Sequence, residues 1–115
     1  MFQTKKKRIQ SYIAEKASSC RLSPFDELLE EFLSGIMKEC FLAFGIKKVE
    51  IHIDWLADYQ CIGVQGVYHQ SYLDLQIEPT EFSIGYDPVE PDEHTSYPLE
   101  SKEQVYAIVK QTLKL

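Results

Sequence analysis

The hydrophobic period of this chain changes at Lys48, and that change constrains the fold more than any other feature. Before it, apolar residues recur at the spacing of one broad helical stripe. The stripe consists of Phe25, Leu28, Leu29, Phe32, Leu33, Ile36, Met37, Cys40, Phe41 and Phe44. After Lys48, apolar and polar residues alternate, which is typical of strands with one buried face. A helical first half followed by several short strands predicts an α+β domain.

Capping signals mark both ends of the helix that carries this stripe. Ser23 followed by Pro24 gives an N-cap and a proline at the first helical position. Gly45 follows the last apolar residue of the stripe, at a position that commonly adopts a left-handed conformation. Apolar spacing also predicts an earlier helix over residues 4–18. The sequence therefore predicts two N-terminal helices.

Four strands are predicted next, over residues 49–55, 59–68, 73–78 and 82–87. The connections between them are too short for crossovers, so consecutive strands must be antiparallel neighbours. This predicts a four-stranded antiparallel meander.

A C-terminal helix is predicted from Ser101, which has capping-box spacing to Gln104. A chain of 115 residues is close to the usual size of one domain. We therefore expect residues 1–115 to form a single α+β domain, with the helices packed on one sheet face.

The charge of the chain is distributed unevenly. Residues 1–48 carry nine Lys and Arg against six Asp and Glu, whereas residues 49–115 carry three against twelve. An acidic sheet repels nucleic acid and favours a basic partner protein. The three cysteines form no C-x-x-C pair and no apolar run could span a bilayer. We expect a cytoplasmic protein that binds neither nucleic acid nor membrane.

The sequence contains no catalytic or metal-binding motif. His52, His69 and His94 are widely separated, so they match no zinc-site spacing. A hairpin centred near residues 57–58 would bring His52 or Asp54 near Cys61, which is the minimum for a thiolate nucleophile. No oxyanion site accompanies this pair. We therefore predict no cofactor and no metal, and we favour a non-enzymatic protein over an enzyme.

The segment 82–99 is the candidate binding site. It runs from a strand into an acidic loop that three prolines hold out of a helix or an inner strand. Its carboxylates would steer a basic partner, and its tyrosines would supply stiff, amphipathic contact area. The predicted partner-binding residues are Tyr86, Asp87, Glu90, Asp92, Glu93 and Tyr97.

These features together favour a small, acidic, non-enzymatic protein-binding module. Its most concrete form is an immunity-type inhibitor that masks a basic toxin or nuclease. The alternative is a small-ligand-binding domain or small enzyme with a pocket between the sheet and the helices. A homodimer through the polar sheet face or an unpaired edge strand is a third hypothesis.

Overall fold

A computed structural model describes residues 2–19, 22–55, 60–88 and 94–115. It confirms an α+β fold with an antiparallel sheet. The described elements are, in chain order, α1 (Phe2–Ser19), α2 (Pro24–Ser34), α3 (Ile36–Ala43), β1 (Lys47–Trp55), β2 (Gln60–Tyr68), β3 (Ser71–Ile77), β4 (Glu81–Asp87), β5 (Thr95–Pro98) and α4 (Lys102–Thr112).

The described residues form a sheet of five strands rather than the predicted four. Its order is β1-β2-β3-β4-β5, and every neighbouring pair is antiparallel. The additional strand, β5, has four residues and ends at Pro98, so the sequence pattern did not indicate it. A proline is tolerated there because β5 lies at the edge of the sheet.

The predicted central helix is two helices, so three helices precede the sheet rather than two. Gly35 adopts a left-handed conformation with φ of 82° and its N–H donates to the carbonyl of Phe32, which ends α2. The apolar stripe continues on both sides of this break, and hydrophobic period alone therefore did not reveal it. The glycine was the one local signal, because it is disfavoured inside a helix.

The predicted helix caps are present. Ser23 and Asp26 form a reciprocal capping box at the start of α2, and Ser101 and Gln104 form another at the start of α4. Gly45 has φ of 91°, and the N–H of Ile46 donates to the carbonyl of Phe41. This last pair of features is the Schellman arrangement that turns the chain from α3 into β1.

One face of the sheet belongs to a single hydrophobic core to which all four helices contribute. Ile62, Val64, Leu75 and Ile77 are completely buried on this face. The helices supply the other side of the core through Ile9, Leu28, Leu29, Met37, Phe41, Val105 and Val109. Alternate residues of the same strands point away from the core, and the candidate site is formed there.

A polar contact fastens α4 to α2 on the helical side of the domain. The Tyr106 hydroxyl donates to the carboxylate of Glu31, and Lys102 Nζ lies 3.1 Å from Glu31 Oε1. Burial, reinforced by the negative charge of Glu31, raises the pKa of Tyr106 far above its ordinary value. The Tyr106 ring also packs on Phe41, with centroids 5.8 Å apart.

Candidate protein-binding surface

The sheet face opposite the core, here called the open face, points away from the core and carries the polar phase of each strand. The strand register assembles it from rows of directly opposed residues. In one row, His52 opposes Gly63, Gly63 opposes Gln76, and Gln76 opposes Ser83. The other members are Glu50, Asp54, Cys61, Gln65, Val67, Tyr72, Asp74, Gly85, Glu81, Asp87 and Ser96.

The open face is acidic. Six carboxylates lie on it or directly at its border: Glu50, Asp54, Asp74, Glu78, Glu81 and Asp87. Lys47 and Lys48 lie at one corner, where a bulge interrupts the start of β1. From Glu50 onward, the described part of this face contains no Lys or Arg. Charges of one sign on one surface produce a field that attracts the opposite charge.

Two histidines lie close to the open face, each beside a carboxylate. The His52 ring covers Gly63, where any Cβ would overlap it, and His52 Nε2 lies 3.5 Å from Asp54 Oδ2 of the same strand. His94 Nε2 lies 3.0 Å from Asp74 Oδ2, and Asp74 directly opposes Gly85 on β4. Gly63 thus leaves room for the His52 imidazole against the sheet surface.

Cys61 lies beneath these polar residues and is 6% exposed. Its thiol donates to Gln76 Oε1 at 3.3 Å, and Asp54 is its cross-strand partner. Burial is the main cause that raises the pKa of the Cys61 thiol, and the charges of Glu78 and Asp54 raise it further. A thiol held in its protonated form is a poor nucleophile. The hairpin therefore brings Asp54 to Cys61, as its spacing indicated, in an environment that opposes thiolate formation.

The predicted partner-binding residues lie in different environments. Asp87 is exposed on the open face. Tyr86 points to the core side, where it is half-buried and its hydroxyl donates to the carbonyl of Tyr68 at 2.7 Å. Tyr97 is also half-buried and stacks on Phe82 with centroids 5.3 Å apart.

The remaining three predicted residues, Glu90, Asp92 and Glu93, lie outside the described residues. Of the three predicted residues that the structure describes, only Asp87 lies on the open face, and partner binding by all six stays a prediction.

Tyr72 was not predicted as a site residue, yet it is a large, exposed aromatic side chain on the open face. It is 50% exposed and directly opposes Asp87 on β4. The alternation within β3 could have assigned Tyr72 to the polar side, together with Asp74. What alternation could not supply was the register, which sets Tyr72 beside Asp87.

A cleft of about 590 Å³ lies at the end of the sheet, lined by Gly45, Lys47, Val67, His69 and Gln70. His69 and Gln70 are the two residues of the β2–β3 turn, and both have positive φ, 49° and 65°. Such a turn normally contains Asn or Gly, because other residues are strained in the left-handed region. This strain at a cleft is compatible with a ligand site.

Among the described residues, no group of three or more His, Cys, Asp or Glu side chains could hold a metal ion. None of the described helices has the length and apolar character needed to cross a membrane. No protein family model matches this chain, and comparison with curated proteins and solved structures gives no match.

Proposed function

We propose that this protein is a non-enzymatic protein-binding module whose open face binds a basic partner. An immunity-type inhibitor that masks a basic toxin or nuclease is the most concrete form of this function. The main observation in support is the charge of the open face. It has six carboxylates, and from Glu50 onward its described part contains no Lys or Arg.

The open face suits a partner rich in Lys and Arg for two physical reasons. Its field accelerates the encounter with an oppositely charged surface, an effect that salt weakens. Tyr72 adds a half-exposed aromatic ring beside Asp87. A Lys or Arg seated there would contact both the ring and the carboxylate, which gives one cation two favourable interactions.

The described cysteines support a non-enzymatic role in the cytoplasm in two ways. Cys40 and Cys61 are both free thiols, as expected in a reducing compartment. The raised pKa of Cys61 disfavours its use as a nucleophile. The acidity of the open face also disfavours nucleic acid as the partner, since phosphates would be repelled.

Charge reversal on two different surfaces tests this proposal. One variant combines Glu50→Lys with Asp54→Lys, both exposed on the open face. The matched control combines Glu30→Lys with Glu39→Lys, both exposed on helices. The two variants have the same net charge as each other. The tagged wild type and both variants are used to capture proteins from native lysate. A salt gradient then elutes the captured proteins for mass spectrometry.

The proposal predicts one basic protein, recovered in stoichiometric amount by the wild type and the helix variant but not by the open-face variant. The purified partner should then show the same order of affinities in calorimetry. A partner that both variants lose equally would respond to net charge alone. A partner lost only by the helix variant would move the site to the other side of the domain.

A second candidate function is binding of a small anionic ligand in the terminal cleft. The left-handed conformations of His69 and Gln70 favour it, together with Lys47 on the cleft wall. Inorganic phosphate should then raise the melting temperature of the wild type through mass action, and less so in a Lys47→Gln variant. If millimolar phosphate leaves both melting temperatures unchanged, this candidate is removed.

A further inference from the structure

The two edges of the sheet differ in how completely they are protected. At one edge, β5 has four residues and ends in a proline. The last residue of β5 and the residue after it each make a hydrogen bond, from Gln104 Nε2 to the Pro98 carbonyl and from the Leu99 N–H to the Thr80 carbonyl. At the other edge, β1 has nine residues and pairs only with β2 among the described strands. Edge strands present backbone groups that can pair with another chain.

We propose that the basic partner adds an extended segment to β1 along residues 50–55, with basic and apolar side chains alternating along that segment. This inference rests on the proposed function and specifies how the open face would be used. Strand addition combines backbone hydrogen bonds with side-chain selection at alternate positions.

The open-face side of β1 determines where the added segment carries its basic side chains. Glu50, His52 and Asp54 are all exposed there. Directly opposed residues on neighbouring antiparallel strands have Cβ atoms about 4.5–5.5 Å apart, within reach of opposite charges. A Lys or Arg at every second position of the added segment would therefore meet Glu50 and Asp54.

The core side of β1 determines where the added segment carries its apolar side chains. Ile51 belongs to a row in which Val64 and Leu75 are completely buried, but Ile51 itself is only half-buried. Its exposure arises because no described strand lies beyond β1 in this row. Apolar residues between the basic ones would cover Ile51, which is favourable because it removes apolar surface from water.

The start of β1 limits where a strand can be added. The register shifts between Lys47 and Glu50, and Lys48 has φ of 54°, so the regular stretch begins at Glu50. Bulges and lysines are features that obstruct pairing at an edge. A basic segment would also be repelled at Lys47 and Lys48, which confines it to the acidic stretch.

Charge also argues for a basic partner over a second copy of this chain. An antiparallel β1–β1 pair centred on His52 would set Glu50 of each copy against Asp54 of the other. Like charges that directly oppose each other across strands are destabilising. A basic segment replaces both repulsions with attractions.

A synthetic peptide of alternating lysine and valine, blocked at both ends and labelled with a fluorophore, is the probe. Its anisotropy is measured against wild type, the Glu50→Lys/Asp54→Lys variant and the Glu30→Lys/Glu39→Lys control. A block peptide with three lysines followed by three valines has the same composition without alternation. We expect the alternating peptide to bind wild type about tenfold tighter than the block peptide, and the open-face variant to lose that preference.

Backbone methylation tests the hydrogen bonds directly. Two alternating peptides are methylated at the amide nitrogens of either all lysines or all valines, so that each loses the donors along one edge. Strand addition predicts that one of the two loses binding while the other keeps it. Equal binding of the alternating, block and methylated peptides would overturn strand addition. The charge-reversal capture would still test, independently, whether the open face binds a basic partner.

Sedimentation velocity of the protein alone completes the test. A monomer at micromolar concentration is expected. A dimer that dissociates when Ile51 is changed to Lys would assign the β1 edge to a second copy and overturn the choice of a basic partner.

Discussion

The two faces of this sheet are made by the same strands, yet they carry different properties. The core face places Leu75 and Val64 at zero exposure, whereas the open face alternates with it and collects Glu50, Asp54 and Asp74. Because side chains alternate with a period of two, each strand can be selected for burial on one side and for charge on the other. Changes on the core face should therefore alter stability, and changes on the open face should alter binding.

The largest expected effect is a difference in stability between an alanine variant of Leu75 on the core face and one of Gln65 on the open face. Leu75→Ala removes a completely buried side chain in the centre of the core, which should lower the free energy of unfolding by about 2–5 kcal/mol. Gln65→Ala, on the exposed face of the neighbouring strand, should change it by less than about 0.5 kcal/mol. Urea denaturation of both variants measures the contrast, and equal losses would contradict the assignment of the two faces.

The two glycines of β2 give the next contrast, since they face opposite sides. A Cβ at Gly66 would overlap Ile46 and lie 3.2 Å from the Lys47 carbonyl oxygen, so Gly66→Ala should cost about 1–3 kcal/mol through overpacking. A Cβ at Gly63 would meet only the ring of His52, an exposed side chain that can rotate away. Gly63→Ala should therefore shift the thermal midpoint much less. A reversed order of the two midpoints would contradict the placement of His52 on the open face.

Alkaline pH probes the helical side through Tyr106. Its pKa is raised in the folded protein by burial and by Glu31, so folding holds the phenol proton more tightly than the unfolded chain does. The resulting stability is complete below the ordinary tyrosine pKa of 10.0 and is lost as pH rises beyond it. The midpoint of urea unfolding should fall above about pH 10 in wild type and fall less steeply in Tyr106→Phe.

Some pH dependence should remain in Tyr106→Phe, because the pKa of Lys102 is raised through its hydrogen bond to Glu31. The sign is the same: the charged form of Lys102 favours folding, and that contribution disappears as pH rises. Identical slopes in wild type and Tyr106→Phe would show that the phenol does not contribute.

The smallest expected effect concerns the β2–β3 turn, at one end of the sheet. His69→Asn combined with Gln70→Gly replaces two left-handed residues by types that adopt this conformation readily, and should stabilise the protein by about 0.4–1 kcal/mol. Thermal unfolding measures the gain. A loss of stability would indicate that the original side chains make contacts that outweigh their strain.

Local signals predicted much of the fold, and they missed β5, where a tertiary contact decided the outcome. The capping pairs Ser23–Asp26 and Ser101–Gln104 are encoded within one helical turn, so sequence alone located both helix starts. The short strand β5 depends on pairing with β4, such as Phe82 opposite Tyr97, and had no local pattern of its own. The break at Gly35 was masked by an apolar stripe that continues across it.

The candidate site could be predicted only in part for the same reason. Alternation indicated that Glu50, His52 and Asp54 lie on one side of β1. It gave no register, so the approach of Tyr72 to Asp87 and of His94 to Asp74 emerged only from the sheet. Tyr86 and Tyr97 were predicted to contact a partner, and the structure shows both half-buried on the core side of their strands.

Amide hydrogen exchange by NMR tests the central claim most directly. The exchange rates of the wild-type protein are compared with and without the alternating lysine–valine peptide. The account predicts slower exchange for the amides of residues 50–55 that point away from β2, with shifts at open-face residues and unchanged exchange in β5. Protection confined to the helices, or unchanged exchange along β1 with the peptide bound, would contradict it.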